Sequence, residues 1–227
     1  MNELIGRVFN FEKTIFPNSS ELYGTLARDG QSPKALMISC ADSRIVPEEI
    51  MQARPGDLFV CRNAGNIVPP YASMLGGVSA TVEYAVAALG VRDIIVCGHT
   101  DCGAMKALAY PDGLEAMPNV AAWLKHGGAA QTVVNSCQGH LQGEDRIRAM
   151  INENVIAQLA NLRTHPSVAR AMAAGEMSLH GWVVDIHEGQ VLGLDGHTGQ
   201  CVPLRDNQPL PVAVPAQARY SLAEAAE

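Results

Sequence analysis

Three short apolar runs constrain the fold more than anything else in this chain: ALMISC (Ala35–Cys40), DLFVCRN (57–63) and DIIVCGH (Asp93–His99). Each is too short for an ordinary helix and is bounded by turn residues, so each reads as a strand. Their hydrophobicity is nearly continuous rather than alternating, which suits strands buried on both faces, as in a parallel sheet. Helical patterns lie between and after them. Residues 77–89 are rich in Ala and Val and stop at Gly90. Residues 152–162, NENVIAQLANL, put Val155, Leu159 and Leu162 on one face. Pro166 starts a further short helix to about residue 174, with Gly175 after it. A fourth apolar run, LHGWVVDIHEGQVLGLD, carries a hairpin turn at EGQ. Strands alternating with helices predict an α/β fold, with a mostly parallel central β-sheet flanked by helices.

The N-terminal stretch MNELIGRVFNFEKTIF repeats Leu4, Ile5, Val8 and Phe9 at helical spacing and predicts an amphipathic helical arm. The expected organisation is one domain over residues 1–204, arm included, followed by a Pro/Ala-rich tail, 205–227, running over the surface. The net charge of −7 and the lack of any Lys/Arg run argue against a nucleic-acid partner, which needs a basic face. No apolar stretch approaches the roughly 20 residues that span a bilayer, and the N-terminus lacks a signal peptide's apolar centre. The expectation is therefore a cytoplasmic protein without a membrane partner. Thiols stay reduced there, so the six cysteines are packed, metal-bound or reactive rather than a disulfide framework. Cys61 and Cys97 are mid-strand and read as packing; Cys137 falls in a polar loop and Cys201 near the tail, neither with a partner.

In open parallel sheets, ligands bind beyond the carboxyl ends of the strands. Cys40 ends the first strand, His99 ends the third, and Cys102 follows at a helix start beside Gly103. Two distant segments thus deliver Cys, His and Cys to one edge of the sheet. That set suits zinc, whose catalytic sites keep three protein ligands and one open position. A thiolate at Cys102 would also gain from the helix N-terminus. Taken alone, GHTDC also admits a nucleophile with its base, or simple packing, since cysteine behaves as a small hydrophobe. SCADSR adds Asp42 and Arg44 after Cys40. An adjacent Arg keeps a carboxylate ionised and fixes its orientation, so Asp42 is placed to accept a proton from a metal-bound water in a hydrogen bond. The bland alternative is a surface ion pair of little energetic value. The loop RNAGN (62–66) reaches the same edge, as a tight turn or as a pocket wall; Thr100 and Asp101 read as turn residues.

Assembled in this way, the chain resembles a β-class carbonic anhydrase. The motifs that carry the likeness are SCADSR and CGHTDCGAM, with RNAGNIVPPY and VEYAVAALG between them, and later ENVIAQLANLRTHPSV and LHGWVVDI. They cover nearly the whole chain, to about Leu204, and look most like the bacterial members that accompany cyanase. The resemblance implies that Cys40, His99 and Cys102 bind Zn2+ and that Asp42 and Arg44 form the catalytic dyad. It implies that Gln31, Phe59 and Tyr84 belong to the substrate pocket, some reaching in from a neighbouring subunit, and that the Gly103 N–H faces the substrate. Ala64 stands where many members carry valine, implying a slightly wider pocket wall. Met37 and its neighbours offer no Trp before the first ligand motif, which implies a constitutively open site without an inhibitory bicarbonate position. The implied reaction is reversible hydration of CO2 to bicarbonate and a proton, with zinc supplying hydroxide, in a homodimer or higher multiple of dimers. The implied role is bicarbonate supply, for cyanate breakdown or for carboxylases. Three rivals stand beside it: a closed zinc site with Asp42 as fourth ligand, a zinc lyase or hydrolase acting on a CO2 analogue such as CS2, and a thiol redox protein using Cys102.

Overall fold

The computed structural model describes residues 1–73 and 76–206. Among these residues, six strands form one sheet in the order β2-β1-β3-β4-β5-β6. They are β1 (Ala35–Cys40), β2 (Leu58–Asn63), β3 (Asp93–His99), β4 (Ser178–Asp185), β5 (Gln190–Leu194) and β6 (Cys201–Pro203). The first four run parallel; β5 and β6 pair antiparallel at one edge. All six residues of β1 are buried, and in β3 all but Asp93, as the unbroken apolar runs require of central strands. Because parallel neighbours end on the same side, β1, β2 and β3 deliver Cys40, Asn63 and His99 to one rim.

Nine α-helices accompany the sheet among the described residues: α1 (Asn2–Asn10), α2 (Ser20–Asp29), α3 (Pro47–Ile50), α4 (Gly77–Glu83), α5 (Gly103–Ala109), α6 (Pro118–Leu124), α7 (Gly128–Cys137), α8 (Gly143–Leu162) and α9 (Pro166–Ala173). α8 lies against β3 and β4, where two glycines let it approach. A Cβ on Gly181 would stand 2.7 Å from Val155 Cγ1, and one on Gly98 would stand 3.1 Å from Val155 Cγ2. The main core fills this face of the sheet with Leu36, Ile38, Ile94, Val96, Leu179 and Val183. A smaller cluster on the other face gathers Met37, Ile95, Cys97, Trp182 and Val184.

Several expectations are sharpened or corrected. The 152–162 helix is the second half of α8, which starts at Gly143. The 77–89 helix is α4 continued by a wider π turn, Tyr84–Ala88, and Gly90 then turns with φ +66°. The hairpin turn spans residues 186–189, and Gln190 already belongs to β5. Cys137 ends α7 rather than sitting in a loop, and it is exposed. The chain past Cys201 does not leave the fold at once, because Cys201–Pro203 pairs with β5. The expected tail lies outside the described residues from 207 onward. The N-terminal arm is helical and amphipathic as expected, yet α1 and α2 bury no residue. Leu4, Ile5, Val8 and Phe9 stay 56, 45, 54 and 53% exposed. Among the described helices, none is long and apolar enough to cross a membrane.

Candidate metal centre and its surroundings

Cys40 ends β1, His99 ends β3 and Cys102 caps the N-terminus of α5. Their ligand atoms all lie within 4.8 Å of one another, and all three residues are buried. His99 is fully buried; its Nδ1 stands 2.8 Å from the Thr100 carbonyl, which can only accept, so Nδ1 carries the proton. Nε2 is left as a bare lone pair with no hydrogen-bond partner among the described residues. A buried acceptor without a partner costs about 1–3 kcal/mol, unless something absent from the chain fills the role. Two thiols and one imidazole lone pair converging on one point form a soft donor set that fits zinc.

The thiols carry the same message. Cys40 is held well below the ordinary thiol range, chiefly because Cys102 shares its proton with it, aided by the backbone N–H groups of Gly65 and Asp42. Cys102 is pushed the other way by that shared proton and by burial. A cation displaces the shared proton and lets both sulfurs ionise. The Gly65 N–H donates to Cys40 Sγ at 3.5 Å. Only glycine fits there. Its φ is +81°, and a Cβ would stand 2.9 Å from Ala104 Cβ.

Asp42 and Arg44 meet as a forked pair. Arg44 Nε and Nη2 donate to the two Asp42 oxygens at 2.9 and 2.8 Å, and the Arg44 backbone N–H adds a third bond at 3.0 Å. These bonds hold the Asp42 carboxyl well below the usual carboxylate range. A group depressed in the folded state adds stability above its unfolded pKa of about 3.9, and that stability is lost as pH falls through the lower folded value. Asp42 is therefore ionised at neutral pH. Its Oδ2 lies 3.9 Å from His99 Nε2, too far for a hydrogen bond, so Asp42 stands beside the three-ligand group without joining it.

Two supporting networks had no clear sequence signal. Arg62, at the end of β2, donates to the carbonyls of Cys40 and Asp42 at 3.1 and 2.7 Å and fixes the loop after β1. On α8, Asn154, Gln158 and Asn161 pin the RNAGN loop and the backbone of Val68 just beyond it. Asn154 donates to the Gly65 carbonyl at 3.0 Å, Gln158 accepts from the Val68 N–H at 2.9 Å, and Asn161 donates to the Val68 carbonyl at 2.9 Å. Their spacing puts these amides on one helical face next to Val155, Leu159 and Leu162, the only hint the sequence held. Asp101 is a further residue whose role the sequence did not show. Its backbone turns with φ +61°, as a turn residue should, but its side chain bonds Arg44 Nη1 at 2.6 Å and also binds Lys106.

Gly103 opens α5 with free space where a Cβ would stand, and exposed Ala64 accepts a 2.8 Å bond from the Trp123 indole. Both sit next to residues that touch the thiols. Gln31, Phe59 and Tyr84 do not. Gln31 precedes β1, whose length of about 17 Å at 3.3 Å per residue separates it from Cys40. Phe59 pairs with Leu36 near the amino end of β1, and its ring stacks 6.0 Å from that of Tyr84.

Comparison with known proteins places these features in a family. The family described as "Carbonic anhydrase" matches residues 35–191. The chain is 52% identical over 207 residues to the carbonic anhydrase of Pseudomonas aeruginosa, covering 91% of this chain and 93% of that one. It is also 52% identical over 215 residues to carbonic anhydrase 1 of Escherichia coli O157:H7, covering 95% and 97%. Among solved structures it superposes on the beta-carbonic anhydrase CcaA with a TM-score of 0.88 at 43% identity, over 91% of this chain and 93% of that one. The tetrameric beta-carbonic anhydrases of Sordaria macrospora give 0.74 at 27% identity, over 85% and 95%.

Proposed function

The chain belongs to the β class of carbonic anhydrases, zinc lyases that hydrate CO2, and from that premise we propose how its own residues carry the reaction. Cys40, His99 and Cys102 hold the zinc. The observation that carries this assignment is the buried, partnerless Nε2 of His99, converging with the buried Cys40 and Cys102 thiols so that all three ligand atoms lie within 4.8 Å of one another. Zinc, when bound, lowers the pKa of a water and supplies hydroxide near neutral pH.

Asp42, ionised and forked to Arg44, accepts a hydrogen bond from the reacting water and selects which lone pair of its oxygen faces CO2. The developing bicarbonate oxygens need donors, and the Gly103 N–H, at the start of α5 next to Cys102, is one. Gln31 is a second donor, and Phe59 and Tyr84 line the apolar side of the same pocket, with Ala64 as the wider wall. Their separation from Cys40 within one chain supports a pocket completed between subunits, in a homodimer or a multiple of dimers. The uncovered apolar stripe of α1 serves as a packing arm in that assembly. Residues 1–204 act as one domain. The site is of the open type, with Asp42 held by Arg44 rather than by the metal, and the protein works in the cytoplasm. There it supplies bicarbonate for cyanate breakdown or for carboxylases.

Stopped-flow kinetics with CO2 and CS2, run across pH, test the activity. Two thiolate ligands neutralise much of a dication's charge, so CO2 hydration is expected to rise into mildly alkaline pH. Asp42, held ionised by Arg44, contributes no acid limb of its own. CS2 turnover without CO2 hydration, or a profile flat from acid to alkaline, would contradict this reading.

A further inference from the structure

The fork between Arg44 and Asp42 fixes the two side chains relative to each other. It does not fix the pair relative to the zinc ligands. Both residues stand on the same loop after β1, and Arg44 is half-exposed. Asp42 Oδ2 lies 3.9 Å from His99 Nε2, only slightly beyond the roughly 3.3 Å that separates two ligand atoms of a tetrahedral zinc at about 2.0 Å each. Something must keep that carboxylate from taking the fourth position.

We propose that Asp101 is a positioning residue which, with Lys106, braces the Arg44 guanidinium and so holds Asp42 off the metal and turned toward the reacting water. Arg44 Nη1 donates to Asp101 Oδ2 at 2.6 Å, and Nη2 reaches the Asp101 carbonyl at 3.3 Å. The other Asp101 oxygen takes Lys106 Nζ, from the last turn of α5. Asp101 is itself clipped in place through its neighbour. The Thr100 N–H donates to the Val184 carbonyl at 2.9 Å, and Thr100 Oγ1 accepts from the Ile186 N–H at 2.9 Å. A continuous chain of bonds therefore runs from the β4–β5 turn through Thr100 and Asp101 to Arg44 and Asp42. It ties the dyad to the segment that carries His99 and Cys102. An ion pair this exposed adds little to folding stability, so its effect is on geometry. The inference rests on the roles given above to Asp42 and Arg44.

The test uses zinc-loaded protein, with Asp101→Gly and Asp101→Asn made in the parent and in an Arg44→Ala background. Glycine removes the side chain without strain at φ +61°, and asparagine tolerates the same backbone while losing the charge. Asp101→Gly is expected to lower kcat/KM about tenfold in the parent, below the roughly 10²-fold that a 1 Å misplacement of a reacting group costs. In the Arg44→Ala background the same change is expected to cost less than about twofold, because a residue acting through Arg44 has nothing left to act through. The Arg44 Nη protons, resolved by NMR in the braced parent, are expected to merge in Asp101→Gly and to stay partly resolved in Asp101→Asn. Equal losses in both backgrounds, or unchanged Arg44 signals with an unchanged rate, overturn the proposal. If the glycine variant does not fold, Asp101→Asn carries the same comparison. A parent that hydrates no CO2 refutes the functional reading instead, and the Arg44 signals still report on the brace.

Discussion

Asp42→Asn is expected to lower kcat/KM for CO2 hydration by about 10³-fold while one zinc per chain stays bound. The size reflects the group removed. A positioned proton acceptor contributes roughly 10²–10⁴-fold, and an amide in its place presents a donor where an acceptor is needed. The amide also gives Arg44 a poorer partner, since the two charge-assisted bonds at 2.9 and 2.8 Å need two carboxylate oxygens. Zinc should remain because Asp42 stands outside the group of mutually close ligand atoms, Cys40, His99 and Cys102. Metal analysis beside the kinetics separates the two readings of this carboxylate. Loss of zinc together with activity would make Asp42 a ligand and the site closed.

Cys40→Ala has the opposite signature. Zinc and hydration activity are expected to disappear together. The substitution removes a thiolate that a Gly65 N–H and a buried rim were built around, leaving one imidazole and one thiol. Losing an outer partner of a metal ligand costs roughly 10–100-fold in affinity, and losing the ligand itself costs more. The shared proton that lowers Cys40 goes too, so Cys102 loses the group that pushed it up, apart from burial. Competition with a chromophoric zinc chelator reads the affinity. Zinc retained at parental affinity in Cys40→Ala would remove Cys40 from the site.

The parts of this site that the sequence makes legible are those set by local pattern. β1 and β3 are unbroken apolar runs, so their carboxyl ends, Cys40 and His99, can be located to the residue. Parallel pairing then brings the two ends together without further information. Asp42 and Arg44 come at once on the same loop, and a forked pair at that spacing needs only a tight turn. Asp101 was hidden for a different reason. Its turn character is visible in the sequence, but its partner Arg44 is 57 positions away, and only the packed rim brings them together. The amides of α8 read as polar breaks in a helical pattern until the loop they hold, 65–68, is laid against them. The short helices between residues 103 and 137 and the three-residue strand β6 lack the long periodic signal that marks α8. Gln31, Phe59 and Tyr84 could be named only by resemblance, since nothing among the described residues of one chain joins them to the thiols.

A zinc titration of the metal-free protein, following stopped-flow CO2 hydration against bound metal, asks whether the Cys40–His99–Cys102 centre carries the reaction. Hydration is expected to rise linearly with zinc and to level off at one ion per chain, as a single Cys40–His99–Cys102 site requires. Hydration that is already full without zinc, or one zinc bound per chain with no hydration above buffer, would contradict the account.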